Sequence, residues 1–296
     1  MIRKIILIVT ITVSGHNAAT ASEVDADYFA QLLPYALLSN AIYKDASAVK
    51  RVATKNNLDF ELLKTIPGIK ITYAILKQIS DERKVIVIRG TANAENAAVD
   101  MDFKLIPDKL SDVSLHQGFK DASTAIFQKV IEHLSKDDKI ITTGHSLGGA
   151  AALVLGMQLQ AQGFKIDRVI TFGQPKVTNL AGSHKFSDMN VVRVVIPKDP
   201  VPIVPPLDPI DVKNIDIYWH VGTEIVLLGS NKYAVLDGVK AMLRGAEFLT
   251  YVPERENIES HFMQTYLTML LSNSQEVTQV KYSPSFNFKN LLNAWQ

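Results

Sequence analysis

The stretch between Ile140 and Leu153 leaves the backbone few options. Ile140-Ile141-Thr142-Thr143 is a β-branched run of strand character, and Ala150-Ala151-Ala152-Leu153 is a run of helix formers. Between them, Gly144-His145-Ser146-Leu147-Gly148-Gly149 must turn a strand into a helix within a few residues. A bend that sharp strains the backbone at Ser146 and lifts its hydroxyl above the sheet, and a Cβ two residues to either side would collide with the turn. Glycine at 144 and 148 meets that demand. The helix starting at the bend also aims its N-terminal N–H groups and positive dipole end at the space where an oxyanion would form. Gly-x-Ser-x-Gly alone is also the pattern of an ordinary glycine-rich βα loop. The strand before it and the helix after it mark Ser146 as a candidate nucleophile on an elbow of Gly144, His145 and Gly148.

Comparable strand runs recur. Residues 84–89 stop at Gly90, residues 168–172 at Gly173 and residues 191–196 at Pro197, while residues 122–135 and 150–162 have helical periodicity. Strands alternating with helices predict an α/β fold with a mainly parallel central sheet covered by helices on both faces. Upstream, Phe29, Leu32, Leu33, Leu37 and Ile42 are spaced for one or two helices, with Pro34 expected near a first turn or a kink. The proline-rich residues 201–209 read as a loop within one domain, because strand-like residues resume at Tyr218 and over 225–228. There is no internal repeat.

Composition narrows the function. With 47% hydrophobic and 21% charged residues the chain can bury a substantial core, and a net charge of +1 gives no reason to expect nucleic acid. The first residues, Met1-Ile2-Arg3-Lys4, are followed by an apolar run from Ile5 to Val13 and a small-residue stretch ending at Ala21. That shape predicts a secretory signal peptide over 1–21, since the run is far too short to span a bilayer. The chain is expected to be exported, secreted or periplasmic, with 22–296 as a single domain. No cysteine is present, which excludes disulfides, thiol catalysis and thiolate metal sites. No histidine pair has metal-ligand spacing with carboxylates, so no metal or other cofactor is expected.

A serine nucleophile needs a base and an acid, which on folds of this kind follow it in the chain. Three histidines do so: His184, His220 and His261. His261 sits where a loop enters the helical pattern starting at Phe262, a position from which a ring can reach a site above the sheet. Asp199 directly follows the 191–196 strand and opens a proline-stiffened loop, as orienting an imidazole requires. Lys198-Asp199-Pro200 is also good turn chemistry in its own right, and Asp208, Asp211 and Asp216 are competitors.

At Gly144-His145-Ser146-Leu147-Gly148-Gly149 the chain resembles the class 3 lipases, the family that includes the fungal-type triacylglycerol lipases. Val87-Ile88-Arg89-Gly90-Thr91 is similar to that family's strand and oxyanion loop, and Val99-Asp100-Met101-Asp102-Phe103 to the segment after its lid. His116-Gln117-Gly118-Phe119 resembles the motif preceding a long helix, and Thr171-Phe172-Gly173-Gln174-Pro175 the strand end after the nucleophile helix. Asp199-Pro200-Val201-Pro202 is similar to the acid loop. These motifs span about 39–266 in the right order.

The resemblance implies an α/β-hydrolase fold and a Ser146–His261–Asp199 triad that cleaves carboxylic esters of lipids through an acyl-enzyme. It makes His220 a structural histidine. It also implies an oxyanion hole of the Leu147 N–H with the Thr91 N–H or hydroxyl. His145 and His116 read as structural. The implied partners are a lipid or other ester substrate and transient contact with a membrane or micelle surface, with no obligate protein partner. Where the family carries a lid, residues 92–99 are small and contain no aromatic, so little apolar area is offered to lipid. Met101, Phe103, Leu105, Ile203, Val204 and Leu207 are candidates for acyl-pocket walls or plain core. Two other readings stay open at this point: a phospholipase A1 acting on membranes, and a catalytically silent binding protein on the same fold.

Overall fold

The computed structural model describes residues 24–81, 83–91, 103–205, 217–238, 240, 241, 244 and 255–282. The expected signal peptide, the lid segment, Met101, Leu207 and the competing acids Asp208, Asp211 and Asp216 lie outside the described residues.

Two helices come first, α1 (Ala26–Ala41) and α2 (Ala46–Lys55), each opened by an aspartate. Asp25 accepts the Tyr28 N–H at 2.8 Å and Asp45 the Ala48 N–H at 2.7 Å, satisfying donors that the first turn leaves without intrahelical partners. Pro34 lies well inside α1 rather than in its first turn, and the helix continues through it. Proline there forgoes one intrahelical bond, but Phe29, Leu32, Ala36 and Leu38 on the same helix are fully buried.

Strands β1 (Leu58–Ile66), β2 (Ile71–Gln78) and β3 (Lys84–Ile88) follow as an antiparallel meander, then β4 (Leu105–Asp108) and β5 (Val113–His116). Helix α3 (Gln117–Val130) leads to β6 (Lys139–His145), α4 (Leu147–Ala161), β7 (Lys165–Phe172), β8 (Thr178–Asn179), α5 (Leu180–Lys185) and β9 (Val191–Val195). After β10 (Tyr218–Trp219) come β11 (Thr223–Gly229), β12 (Lys232–Leu236), α6 (Arg255–His261), α7 (Met263–Asn273) and β13 (Thr278–Gln279).

Among the described residues the main sheet has nine strands in the order β1-β2-β3-β6-β7-β9-β11-β12-β13. Its five central strands, β3, β6, β7, β9 and β11, are parallel, as the sequence predicts; β1–β2–β3 and β11–β12 pair antiparallel at the flanks. A separate four-stranded sheet runs β10-β8-β5-β4.

Alternation along β3 shows how the sheet divides the core. Val85 and Val87 pack with Phe29, Leu32, Tyr266 and Leu267 of α1 and α7, while Ile86 and Ile88 pack with Ile126, Ala151 and Leu155 of α3 and α4. Both faces of the strand are therefore covered, which explains why its sequence is a continuous β-branched run. Each such side chain contributes about 1.5–3 kcal/mol by leaving water. Helix α4 is buried along almost its whole length and is apolar all round, as a helix enclosed by its neighbours must be. It runs back from the β6 end that carries Ser146, and this fixes the elbow to the centre of the fold.

Candidate active site

Ser146 sits between β6 and α4 with φ 59° and ψ −130°, in the left-handed half of the map that a residue with a side chain rarely occupies. The strain is held by surrounding contacts. Its N–H donates to the Phe172 carbonyl at 2.9 Å, and its own carbonyl accepts the Ala150 N–H at 3.0 Å as α4 begins. The flanking glycines are required by close backbone approach: a Cβ on Gly144 would lie 2.5 Å from the Gly148 carbonyl carbon, and one on Gly148 would lie 2.7 Å from Gly90 N. The second of these distances also shows that the backbone just before Thr91 abuts the elbow. Thr91 and Leu147, the expected oxyanion donors, thus follow two segments in direct apposition.

Three elements bring the remaining groups to Ser146. His261, at the end of α6, places Nε2 2.8 Å from the Ser146 Oγ. Asp199, in the turn after β9, meets His261 Nδ1 with Oδ2 at 2.8 Å and Oδ1 at 3.0 Å. A carboxylate beside Nδ1 requires the proton there, which leaves Nε2 to accept the Ser146 hydroxyl proton. All three side chains are buried.

The carboxylate is itself saturated with donors. Asp199 Oδ1 accepts the Val201 N–H at 2.9 Å, and Oδ2 accepts the Tyr266 hydroxyl at 2.5 Å. Burial and the Asp199 charge push the Tyr266 phenol well above its ordinary value, so it keeps the proton it donates.

The loop carrying Asp199 is pinned from below. Lys176 Nζ donates to the carbonyls of Ile203 (2.6 Å) and Pro205 (2.7 Å), its backbone N–H donates to Val204, and His220 Nε2 donates to the Pro202 carbonyl at 2.8 Å. Burial, reinforced by the Arg244 charge, lowers the Lys176 ammonium to about 7. Burial first, then Arg193, holds the His220 ring well below its usual value. Arg193 and Arg244 share Glu224 beside this cluster, at 2.7 and 2.5 Å.

His220 therefore supports the loop rather than facing Ser146, and His184 lies in α5. His116 caps α3, accepting the Phe119 N–H through Nδ1 at 3.4 Å. His145 turns its ring to Tyr43 (2.9 Å) and to the His261 carbonyl (2.7 Å). Of the expected pocket walls, Ile203 and Val204 are buried, Leu105 is half-buried and Phe103 is exposed. Lys176 and Tyr43 carry parts of this arrangement that the sequence did not announce. Their partners are 27 and 102 residues away, so no local spacing could have named them.

Residues 85–208 match the family model for lipase (class 3). Over that stretch, which includes Ser146 and Asp199, the chain is similar to the class 3 lipases. Among its relatives, a secreted mono- and diacylglycerol lipase of Fusarium solani is 29% identical over 154 residues, which are 48% of this chain and 46% of that protein. A lipase of Rhizopus niveus is 33% identical over 142 residues, 43% of this chain and 36% of that protein. The chain thus spans less than half the length of both. A solved triacylglycerol lipase whose catalytic centre is described as a serine protease triad superposes with a TM-score of 0.59 at 23% identity, covering 69% of this chain and 82% of the other. That last likeness is one of fold.

Proposed function

We propose that this chain is a lipase of the class 3 type that hydrolyses carboxylic esters of lipids, with Ser146 as nucleophile, His261 as base and then acid, and Asp199 as the group that orients and stabilises the imidazole. The observation that carries the reading is the unbroken chain Ser146 Oγ–His261 Nε2 (2.8 Å) and His261 Nδ1–Asp199 Oδ2 (2.8 Å), on a serine held at φ 59°.

In the first half of the reaction His261 Nε2 takes the hydroxyl proton as Ser146 Oγ bonds to the ester carbonyl carbon. The carbonyl oxygen becomes an oxyanion facing the N–H of Leu147, which as the first residue of α4 has no partner within its own helix. The N–H of Thr91 faces it from the other side. Collapse breaks the bond to the alcohol oxygen, which leaves with the proton from His261, and Ser146 is left acylated. Water then attacks with His261 again as base, releasing the acid. Having taken the proton, His261 is an imidazolium for part of each half, and Asp199 supplies the compensating charge.

The Fusarium relative named as secreted, together with the leader-like residues 1–21, supports export of the mature chain. Surface contact with lipid is expected to be transient, since residues 92–99 offer little apolar area.

The test is an ester panel: p-nitrophenyl esters of graded length, mono-, di- and triacylglycerol, and phospholipid, each with and without micelles. Hydrolysis by the purified protein that disappears in Ser146→Ala supports the proposal. Undiminished hydrolysis by folded Ser146→Ala would refute it, and the arm hydrolysed fastest separates glycerolipid from phospholipid as substrate.

A further inference from the structure

The mechanism just proposed needs the oxyanion donors and the imidazole to keep a fixed separation, yet they belong to distant elements. Thr91 follows β3, whereas His261 ends α6. Between them stand two rings with no assigned part in the reaction, His145 buried and Tyr43 half-buried.

The Tyr43 hydroxyl lies 2.9 Å from His145 Nδ1, and His145 Nε2 lies 2.7 Å from the His261 carbonyl oxygen. A carbonyl only accepts, so Nε2 carries the proton and Nδ1 accepts from Tyr43. The Tyr43 hydroxyl in turn lies against the Gly90 backbone. Gly90 fits so closely there that a Cβ on it would collide with the Tyr43 Oη and lie 2.5 Å from the His145 carbonyl. Burial, reinforced by the neighbouring His261 ring, holds the His145 imidazole well below its usual value, so it stays neutral and the direction of the proton chain does not change. The His145 and His261 rings sit with centroids 4.7 Å apart and planes 34° from each other, so His145 braces the imidazole's face as well as its backbone.

We infer that Tyr43 and His145 are positioning residues: the series Gly90 backbone, Tyr43 hydroxyl, His145 imidazole and His261 carbonyl is a strut that sets the distance from the oxyanion hole to the base. The inference rests on the proposed hydrolase reading. Its effect falls on the transition state, because the oxyanion must meet its donors while the proton meets Nε2. A misplacement of about 1 Å in such an arrangement costs on the order of a hundredfold in rate. Both rings are engaged with each other and with the His261 backbone, so the substitutions are expected to leave KM unchanged.

The experiment compares the full chain with Tyr43→Phe, His145→Phe and the double variant, using p-nitrophenyl butyrate and a trifluoromethyl ketone that forms a tetrahedral adduct with an active serine. Tyr43→Phe removes one oxygen and is expected to lower kcat about tenfold or more with KM within twofold. Ketone affinity falls by the same factor as kcat/KM. If the two residues act as one strut, the double variant loses no more than the worse single variant, a non-additivity that two independent structural roles would not produce. Should His145→Phe fail to fold, Tyr43→Phe decides alone. A folded Tyr43→Phe with kcat and ketone affinity within twofold of the parent overturns the strut while leaving the hydrolase reading intact, as do losses that multiply in the double variant. A parent protein that hydrolyses no ester of the panel and binds no ketone overturns both.

Discussion

Tyr266 places its hydroxyl 2.5 Å from Asp199 Oδ2, on the same oxygen that meets His261 at 2.8 Å, and the tyrosine and the aspartate are both fully buried. That oxygen thereby receives a second charge-assisted bond, which fixes the carboxylate plane toward the imidazole. Tyr266→Phe removes that bond without opening a cavity of any size. Lost hydrogen bonds to charged groups cost about 1.5–3 kcal/mol. The variant is expected to melt at a lower temperature and to lose roughly three- to thirtyfold in kcat, measured by calorimetry and an initial-rate ester assay. Unchanged kcat and melting temperature would show that Asp199 does not need this partner.

Backbone strain at Ser146 makes a second prediction, in which stability and activity part company. A non-glycine residue at φ 59° costs about 1–3 kcal/mol, and glycine relaxes most of it. Ser146→Gly is therefore expected to be inactive yet more stable than Ser146→Ala by about 1 kcal/mol in urea unfolding. Equal stabilities would mean that the bend stores no strain.

Thr91→Val probes the other side of the site. The substitution keeps the shape and the backbone N–H while deleting the hydroxyl. If that hydroxyl assists the oxyanion, kcat falls about ten- to a thousandfold with KM little changed. A rate within twofold of the parent assigns the work to the N–H alone.

Much of the site was legible because its demands are local. The elbow needs glycines at 144 and 148 within one turn, so the sequence has to display them together, and central strands such as β3 and β6 must be β-branched throughout because both their faces are covered. The β1–β2 hairpin was left unread: β1 alternates only weakly between buried and exposed positions, although Pro67-Gly68 between the strands is a turn signal. Tyr43 and Lys176 could not be read either. Each meets its partner through the folding of the whole chain, and a buried tyrosine or lysine looks in sequence like any other residue of a helix or a loop.

The buried bases set a pH dependence of stability. His145 and His220 are held neutral in the fold, well below the ordinary value of 6.5, chiefly by burial. Below that value the unfolded chain binds protons that the folded chain refuses, so stability falls as the pH drops through about 6.5. Lys176 acts in a higher window. Between about 7, its value in the fold, and its ordinary 10.5, the unfolded chain holds the extra proton, so stability rises with pH there. Urea midpoints at pH 5, 7 and 9 are expected to increase in that order, and Lys176→Met to flatten the step from 7 to 9. A midpoint that falls between 7 and 9, with the variant following the parent, contradicts the assignment.

The central claim is that Ser146 is activated by His261, and covalent labelling tests it most directly. The purified chain is treated with a fluorophosphonate and its modified peptide located by mass spectrometry. One adduct on Ser146, formed rapidly in the parent and lost in a folded His261→Ala variant, is the expected result. A folded parent that takes no label, or takes it at another residue, contradicts the account.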